Sequence, residues 1–249
     1  MQAKPTHILF PVALSYTAFL LAWGIGQAME GWLGKDGIFI QLTFFMVVYI
    51  ALTGIAIPLW LARRFGFALS TPAPKWRKAG GFLALGIVLV ASVFFSDALP
   101  LLKADPPSAA GALKYLLLFV PMALGICLQC FFLAPRSLEA VLPDRWWRPV
   151  LVVAASALAI GLGFWVDQLF ASPDLALTQV MLGVFFALGA LLTRSFAWTY
   201  ACYLVAILVN TLSEGKYFEY PWAALGIGFV AACLAVLGHA WKNRQQRST

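Results

Sequence analysis

Apolar blocks long enough to cross a lipid bilayer recur along the whole chain, and they constrain its fold more than any motif does. A transmembrane helix needs about 20 mostly apolar residues. Only 11% of the 249 residues are charged and 62% are hydrophobic, a balance unlike that of a soluble domain. The pattern predicts an all-α, polytopic transmembrane helix bundle forming one domain, residues 1–249, with eight spans near 8–29, 38–61, 80–99, 112–133, 149–169, 177–192, 196–212 and 221–241.

Lysine and arginine predict how these spans are oriented. With the N-terminus in the cytosol, 13 of the 17 basic residues fall in cytoplasmic segments and 8 of the 10 acidic residues fall outside. The Lys/Arg bias of short loops sets orientation, so we expect both termini to be cytoplasmic. The net charge of +7 then reflects loops that face anionic lipid, and nucleic acid is not expected as a partner. We expect a multi-pass cell-membrane protein, of the bacterial inner membrane, whose partners are membrane lipid and another membrane protein.

The stretch Leu116–Pro149 combines an apolar helix, predicted to end at Pro135, with a basic amphipathic connector. Cys127 and Cys130 share one face of that helix. Reactive thiolates need an electropositive and partly wet setting, which an apolar run does not offer. We interpret both cysteines as small buried hydrophobic residues.

Polar side chains at membrane depth are costly and often functional, so they supply the candidate sites. Arg136 and Glu139 are three residues apart near the cytosolic end and can form an ion pair. The outer set can line an outward vestibule or form the ordinary polar fringe of helix ends. The candidates are Gln129, Arg136 and Glu139 toward the cytosol, and Asp167, Gln168, Gln179 and Asn210 toward the outside.

Residues for hydrolytic or metal chemistry are scarce in the sequence. Its two histidines, His7 and His239, both lie near the predicted cytosolic boundary. The sequence contains no GxSxG, Walker or HExxH motif. We therefore predict no catalytic residues, no cofactor and no metal site.

From about residue 116 to residue 212 the chain resembles the CAAX protease and bacteriocin-processing family of intramembrane proteins. In that family a helix ends in Glu-Glu-x-x-x-Arg and is followed by an amphipathic connector and a helix with Phe-x-x-x-His. A hairpin then leads through a Trp to a helix with His-x-x-x-Asn or Asp. The corresponding stretches here are Gln129–Ala134, the pair Trp146-Trp147 before span five, and Leu191–Trp198 with its continuation to Asn210.

The residues at the family's catalytic positions differ in this chain. Gln129 and Cys130 stand where the paired glutamates would be, Ala134 stands where the arginine would be, and both histidines are missing. Glutamine and cysteine cannot replace the general base that activates water in that family. The resemblance thus implies the eight-span layout without its active site.

These observations predict a non-catalytic scaffold, assembly factor or accessory subunit for another membrane protein or lipid. Two alternatives remain open. A small-molecule or ion transporter would use the outer polar residues around Asp167 and Asn210. A lipid- or peptide-processing enzyme of the CAAX protease-like family would need Gln129, Cys130 or Glu139 in unusual roles.

The predicted topology is tested by cysteine labelling in intact cells. Single cysteines at Lys75 and Arg247 should be protected from an impermeant thiol reagent, whereas cysteines at Asp105 and Glu219 should be labelled. Protection at Glu219 together with labelling at Asp105 would contradict the eight-span arrangement, because it would place the last outer loop in the cytosol.

Overall fold

A computed structural model describes residues 5–33, 37–95, 115–164 and 173–213, and these residues are mainly helical. We number the helices of this part of the chain α1 to α7. They are α1 Pro5–Leu33, α2 Ile38–Phe65, α3 Lys75–Phe95, α4 from Tyr115 to Val141, α5 Arg148–Phe164, α6 Pro173–Thr193 and α7 Phe196–Ser213.

Three of these helices, by their described residues, are long and apolar enough to cross a membrane: Thr6–Leu33 of α1, Ile38–Phe65 of α2 and Leu117–Val141 of α4. The all-α class of the described residues and the presence of helices with the length and composition to cross a membrane are thereby confirmed. The count of eight spans and the single-domain organisation stay predictions, because residues 221–241 and several predicted span ends lie outside the described residues.

The prediction that the fourth helix ends at Pro135 is wrong, since α4 continues to Val141. The reason lies in the π-helical segment Cys127–Leu133, which comes just before this proline. A proline ring normally clashes with the carbonyl of the preceding turn and lacks an N–H. A π turn is wider than an α turn, so the chain passes the proline without breaking.

The same arrangement occurs three times in the described helices. In α2 the π segment is Phe45–Ala56, and in α4 the π segments are Tyr115–Phe119 and Cys127–Leu133. Each is followed by one residue and then a proline, and these prolines are Pro58, Pro121 and Pro135. The proline positions thus mark where these helices return from the π to the α form.

The chain divides into two compact units, and the first comprises Met1–Ala68 and Leu124–Ala187. Within it, α1 and α2 pack through aromatic rings. Phe19 stacks on Tyr49 with ring centroids 4.7 Å apart, and Trp23 lies 5.4 Å from the same tyrosine ring. Large planar side chains bury much apolar surface, which fixes the pairing of these two helices.

Helices α2 and α4 approach each other at a pair of glycines in the first unit. A Cβ atom added to Gly125 would lie 3.1 Å from the Cα of Gly54. So close an approach leaves little room for a side chain at either residue, because the facing backbone would have to move apart. The crossing therefore depends on both glycines.

The second unit, Leu69–Ala123 and Leu188–Thr249, contains the turn between α6 and α7. Arg194 adopts a left-handed φ of 54° in this turn. Its carbonyl accepts a hydrogen bond from the Thr71 amide at 3.0 Å, and the Phe196 amide donates to the Leu69 carbonyl at 3.0 Å. These bonds hold the strained residue. The predicted turn of Thr193, Arg194 and Ser195 is one residue too long, since α6 includes Thr193, and the packing of the two helices as a hairpin stays a prediction.

Tryptophans near helix ends are largely exposed, as expected for side chains at the membrane interface. Trp60 near the end of α2 carries the guanidinium of Arg64 over its ring at 5.2 Å from the centroid. The exposed tryptophans of the described residues are Trp32, Trp60, Trp76 and Trp146.

The glycine crossing is tested by comparing Gly125→Ala with Gly24→Ala. An alanine at Gly125 meets the α2 backbone, so the free energy of unfolding should fall by about 1–3 kcal/mol. No atom lies within 4 Å of a Cβ at Gly24, so alanine there should be neutral or slightly stabilising. Unfolding in mixed micelles with increasing SDS measures both, and equal effects would contradict the close crossing.

Candidate functional site

Gln129 lies at the centre of the first unit, on the π segment of α4, and its side chain is almost completely buried. Its Nε2 donates to the Ser15 hydroxyl of α1 at 2.9 Å and to the Thr53 carbonyl of α2 at 2.9 Å. A longer contact of 3.4 Å joins Nε2 to the Ser15 carbonyl. One amide group thus connects three helices.

The Thr53 carbonyl is available to Gln129 because of a proline. In a π-helix each carbonyl accepts from the amide five residues later, and the Ile57 amide donates to the Leu52 carbonyl in this way. The donor for Thr53 would then be residue 58, which is Pro58 and has no N–H. Buried carbonyls at membrane depth need a donor, and the Gln129 side chain provides it.

The glycine crossing brings the amide within reach of that carbonyl. Gly54 follows Thr53 in sequence, and Gly125 precedes Gln129 by four residues, about one helical turn. Because α2 and α4 are in backbone contact at these glycines, a glutamine side chain spans the remaining distance. The crossing and the hydrogen bond therefore support each other.

Other polar side chains surround Gln129 in the same unit. The Tyr16 hydroxyl donates to the Ala159 carbonyl and so joins α1 to α5. Tyr49 of α2 is fully buried, one turn before Thr53, and its ring stacks on Phe19 of α1. Cys130 is a buried free thiol, and Cys127 is also buried. Among the described side chains, no group of three His, Cys, Asp or Glu residues could hold a metal ion.

The predicted ion pair at the cytosolic end of α4 is present in the structure. Arg136 Nη1 lies 3.2 Å from Glu139 Oε2, and the two side chains are only 15% and 14% exposed. Ser137, between them in sequence, donates to the Ala134 carbonyl at 2.8 Å. These contacts lie in the last turns of α4.

The outer polar candidates cannot be assembled into a site from the described residues. Asp167 and Gln168 lie outside them. The backbones of Gln179 and Asn210 belong to α6 and α7, and their side chains are outside the described part. The outward vestibule stays a hypothesis.

Sequence reasoning selected Gln129 but missed the residues that hold it. Ser15 and Thr53 are small hydroxyl residues of a kind common inside transmembrane helices, and Tyr49 is one of many aromatic residues. The available signal was Pro58 within an apolar span, because a proline inside a helix leaves a carbonyl in need of a donor. The sequence alone does not say which side chain supplies it.

The link between Pro58 and Gln129 is tested by a double-mutant cycle. Gln129→Leu should lower the free energy of unfolding by about 1–3 kcal/mol, because Thr53 and Ser15 lose their donor in a buried setting. In a Pro58→Ala background the new main-chain amide can reach Thr53. The cost of Gln129→Leu should then shrink by about 1 kcal/mol.

Pro121→Ala serves as the control, since Pro121 also follows a π segment but is not the residue whose missing amide would have bonded the Thr53 carbonyl. In that background Gln129→Leu should keep its full cost. Additive effects in the Pro58→Ala background, measured by the same SDS titration, would contradict the proposed dependence of this hydrogen bond on the proline.

Comparison of the chain with protein-family models, with curated proteins and with solved structures finds no match. The features of this chain that bear on its function are therefore the hydrogen bonding of Gln129 and the exposed helix faces.

Proposed function

We propose that this chain is a non-catalytic multi-pass membrane protein that serves as a scaffold or accessory subunit for another membrane protein. In this proposal it has eight spans, both termini in the cytosol and a location in the bacterial inner membrane. The Lys/Arg asymmetry of the loops supports the orientation. The three apolar helices long enough to cross a membrane support the location.

The observation that carries the non-catalytic assignment is the hydrogen bonding of Gln129. This residue stands where the resemblance to the CAAX protease and bacteriocin-processing family would place a catalytic glutamate. Its amide donates to Ser15 and Thr53, and its exposed fraction is 1%. A side chain that joins three helices and has no access to solvent supports the bundle rather than activating water.

The exposed face of α1 supports a role in binding a partner within the membrane. Its buried residues follow each other by three or four positions, namely Val12, Ser15, Phe19 and Ala22. The opposite face carries small residues at a spacing of seven, namely Thr17, Gly24 and Gly31, all of them exposed. Nothing lies within 4 Å of a Cβ built on Gly24 or on Gly31.

Small residues on a lipid-facing stripe allow another helix backbone to come close. A spacing of seven keeps such residues on one side of a helix over several turns. Large apolar side chains flank the stripe, including Phe10, Leu14 and Leu21. The face therefore suits a transmembrane helix of a partner protein, with lipid acyl chains as its neighbours.

This proposal is tested by purifying the chain with its partners in a mild detergent. The wild-type chain should retain a stoichiometric membrane protein, identified by mass spectrometry. Gly24→Leu should reduce its recovery several-fold, because the new side chain fills the stripe while the fold has room for it. Ala51→Leu adds the same bulk at an exposed position of α2 and should leave recovery unchanged.

Two results would contradict the proposal. Unchanged recovery in Gly24→Leu would exclude the α1 stripe as the docking face. Cleavage of a membrane peptide that requires zinc and is abolished by Gln129→Ala would instead show that the enzyme alternative is correct. The cleavage assay is informative because Gln129→Ala removes the side-chain amide at the position where the family has a catalytic glutamate.

A further inference from the structure

Among the described residues of the first unit, three buried side-chain atoms have no hydrogen-bond partner: Tyr49 Oη, Gln129 Oε1 and Ser156 Oγ. All three residues are at most 1% exposed. Buried polar atoms of folded proteins are nearly always paired, either with protein groups or with ordered water. Unpaired atoms at membrane depth are especially costly, so three in one unit require a physical explanation.

The orientation of the Gln129 amide is fixed by its neighbours. The Thr53 carbonyl can only accept, so Nε2 and not Oε1 must face it. Exchanging the two ends of the amide would place two acceptors against each other. Oε1 is therefore directed away from Thr53 and needs a donor.

The Tyr49 hydroxyl lies in the same polar region. Tyr49 and Thr53 are neighbours on α2, since the Thr53 hydroxyl donates to the Tyr49 carbonyl at 2.8 Å. The Tyr49 ring also stacks on Phe19 of α1, one helical turn from the Ser15 hydroxyl that accepts from Gln129. Its phenol can both donate and accept, yet it is bonded to neither Gln129 nor any other described group.

Ser156 is connected to this region through α5. It lies three residues before Ala159 and so on the same face of the helix. Ala159 accepts the hydrogen bond of Tyr16, which follows Ser15 on α1, and the Ser15 hydroxyl accepts from Gln129. The three unpaired atoms thus belong to side chains of α2, α4 and α5, three helices whose hydrogen bonds meet at Ser15 and Tyr16 of α1 or at Thr53 of α2, and we call this region the polar centre.

We propose that this centre is a binding site for internal water, held by Gln129 Oε1, Tyr49 Oη and Ser156 Oγ. A water molecule can donate to the Gln129 oxygen and accept from the Tyr49 hydroxyl. Buried waters typically make about three hydrogen bonds to groups that are otherwise unpaired. The site is independent of any partner helix on the Gly24 stripe.

The chemistry of the centre favours water over other ligands. Burial of all three residues leaves no route for a lipid headgroup or a peptide, which are far larger. A metal ion would need carboxylate, imidazole or thiolate ligands, and the described side chains offer no cluster of three. A small neutral molecule that both donates and accepts fits an amide oxygen and two hydroxyls.

The test is water-edited solid-state NMR on the isotopically labelled full chain in phosphatidylcholine–phosphatidylglycerol bilayers. Magnetisation should pass from water to the Gln129 side chain several-fold faster than to Leu133, a fully buried apolar residue of the same helix. Equal rates at these two residues in the wild-type chain would overturn the proposal, whatever the behaviour of any variant.

A pair of tyrosine variants identifies the atoms that hold the water. Tyr49→Phe removes an unpaired hydroxyl and should slow the transfer to Gln129 several-fold. Tyr16→Phe removes a hydroxyl whose acceptor is the Ala159 carbonyl and should leave the transfer nearly unchanged. The backbone spectrum of each variant checks that the fold is kept. Transfer that is unaffected in a folded Tyr49→Phe chain would overturn the assigned site.

Discussion

A proline inside a membrane-spanning helix removes a main-chain donor where no bulk water can replace it. One residue separates the end of each π segment from a proline, namely Pro58, Pro121 or Pro135, so the wider π turn accommodates the proline ring. The missing amide at Pro58 leaves the Thr53 carbonyl to the side chain of Gln129 at 2.9 Å. The missing N–H of one proline is thereby compensated by a tertiary hydrogen bond between α2 and α4.

The kinds of contact that hold the first unit together are those expected of helices that pack in lipid. Apolar faces gain little from leaving lipid, so helices associate through close backbone packing and hydrogen bonds. The Gly54–Gly125 crossing and the Gln129 amide provide both for α4. In keeping with this, 61% of an apolar 18-residue stretch of α4 is buried, against 22% of such a stretch in α1 and 28% in α2. Helices α1 and α2 therefore keep exposed faces that lipid or a partner can cover.

Apolar periodicity predicted the helices well and the site only in part. The predicted starts of spans two and seven, at Ile38 and Phe196, agree with the structure, because each follows a glycine or a tight turn. The end at Pro135 was wrong, since periodicity does not distinguish an α turn from a π turn that tolerates proline. Gln129 was found because an amide in an apolar run is rare. Its partners Ser15 and Thr53 were missed, because the crossing that brings them together is tertiary.

The surroundings of Gln129 also explain why a glutamate would not serve in its place. The groups that face Nε2 at 2.9 Å are a carbonyl, which can only accept, and a serine hydroxyl that accepts here. A carboxylate would set a negative charge against the Thr53 carbonyl in a site without solvent, and it could remain there only in the protonated form. A protonated acid cannot act as a general base. Pro58, by removing the main-chain donor to Thr53, thus favours an amide over an acid at this position.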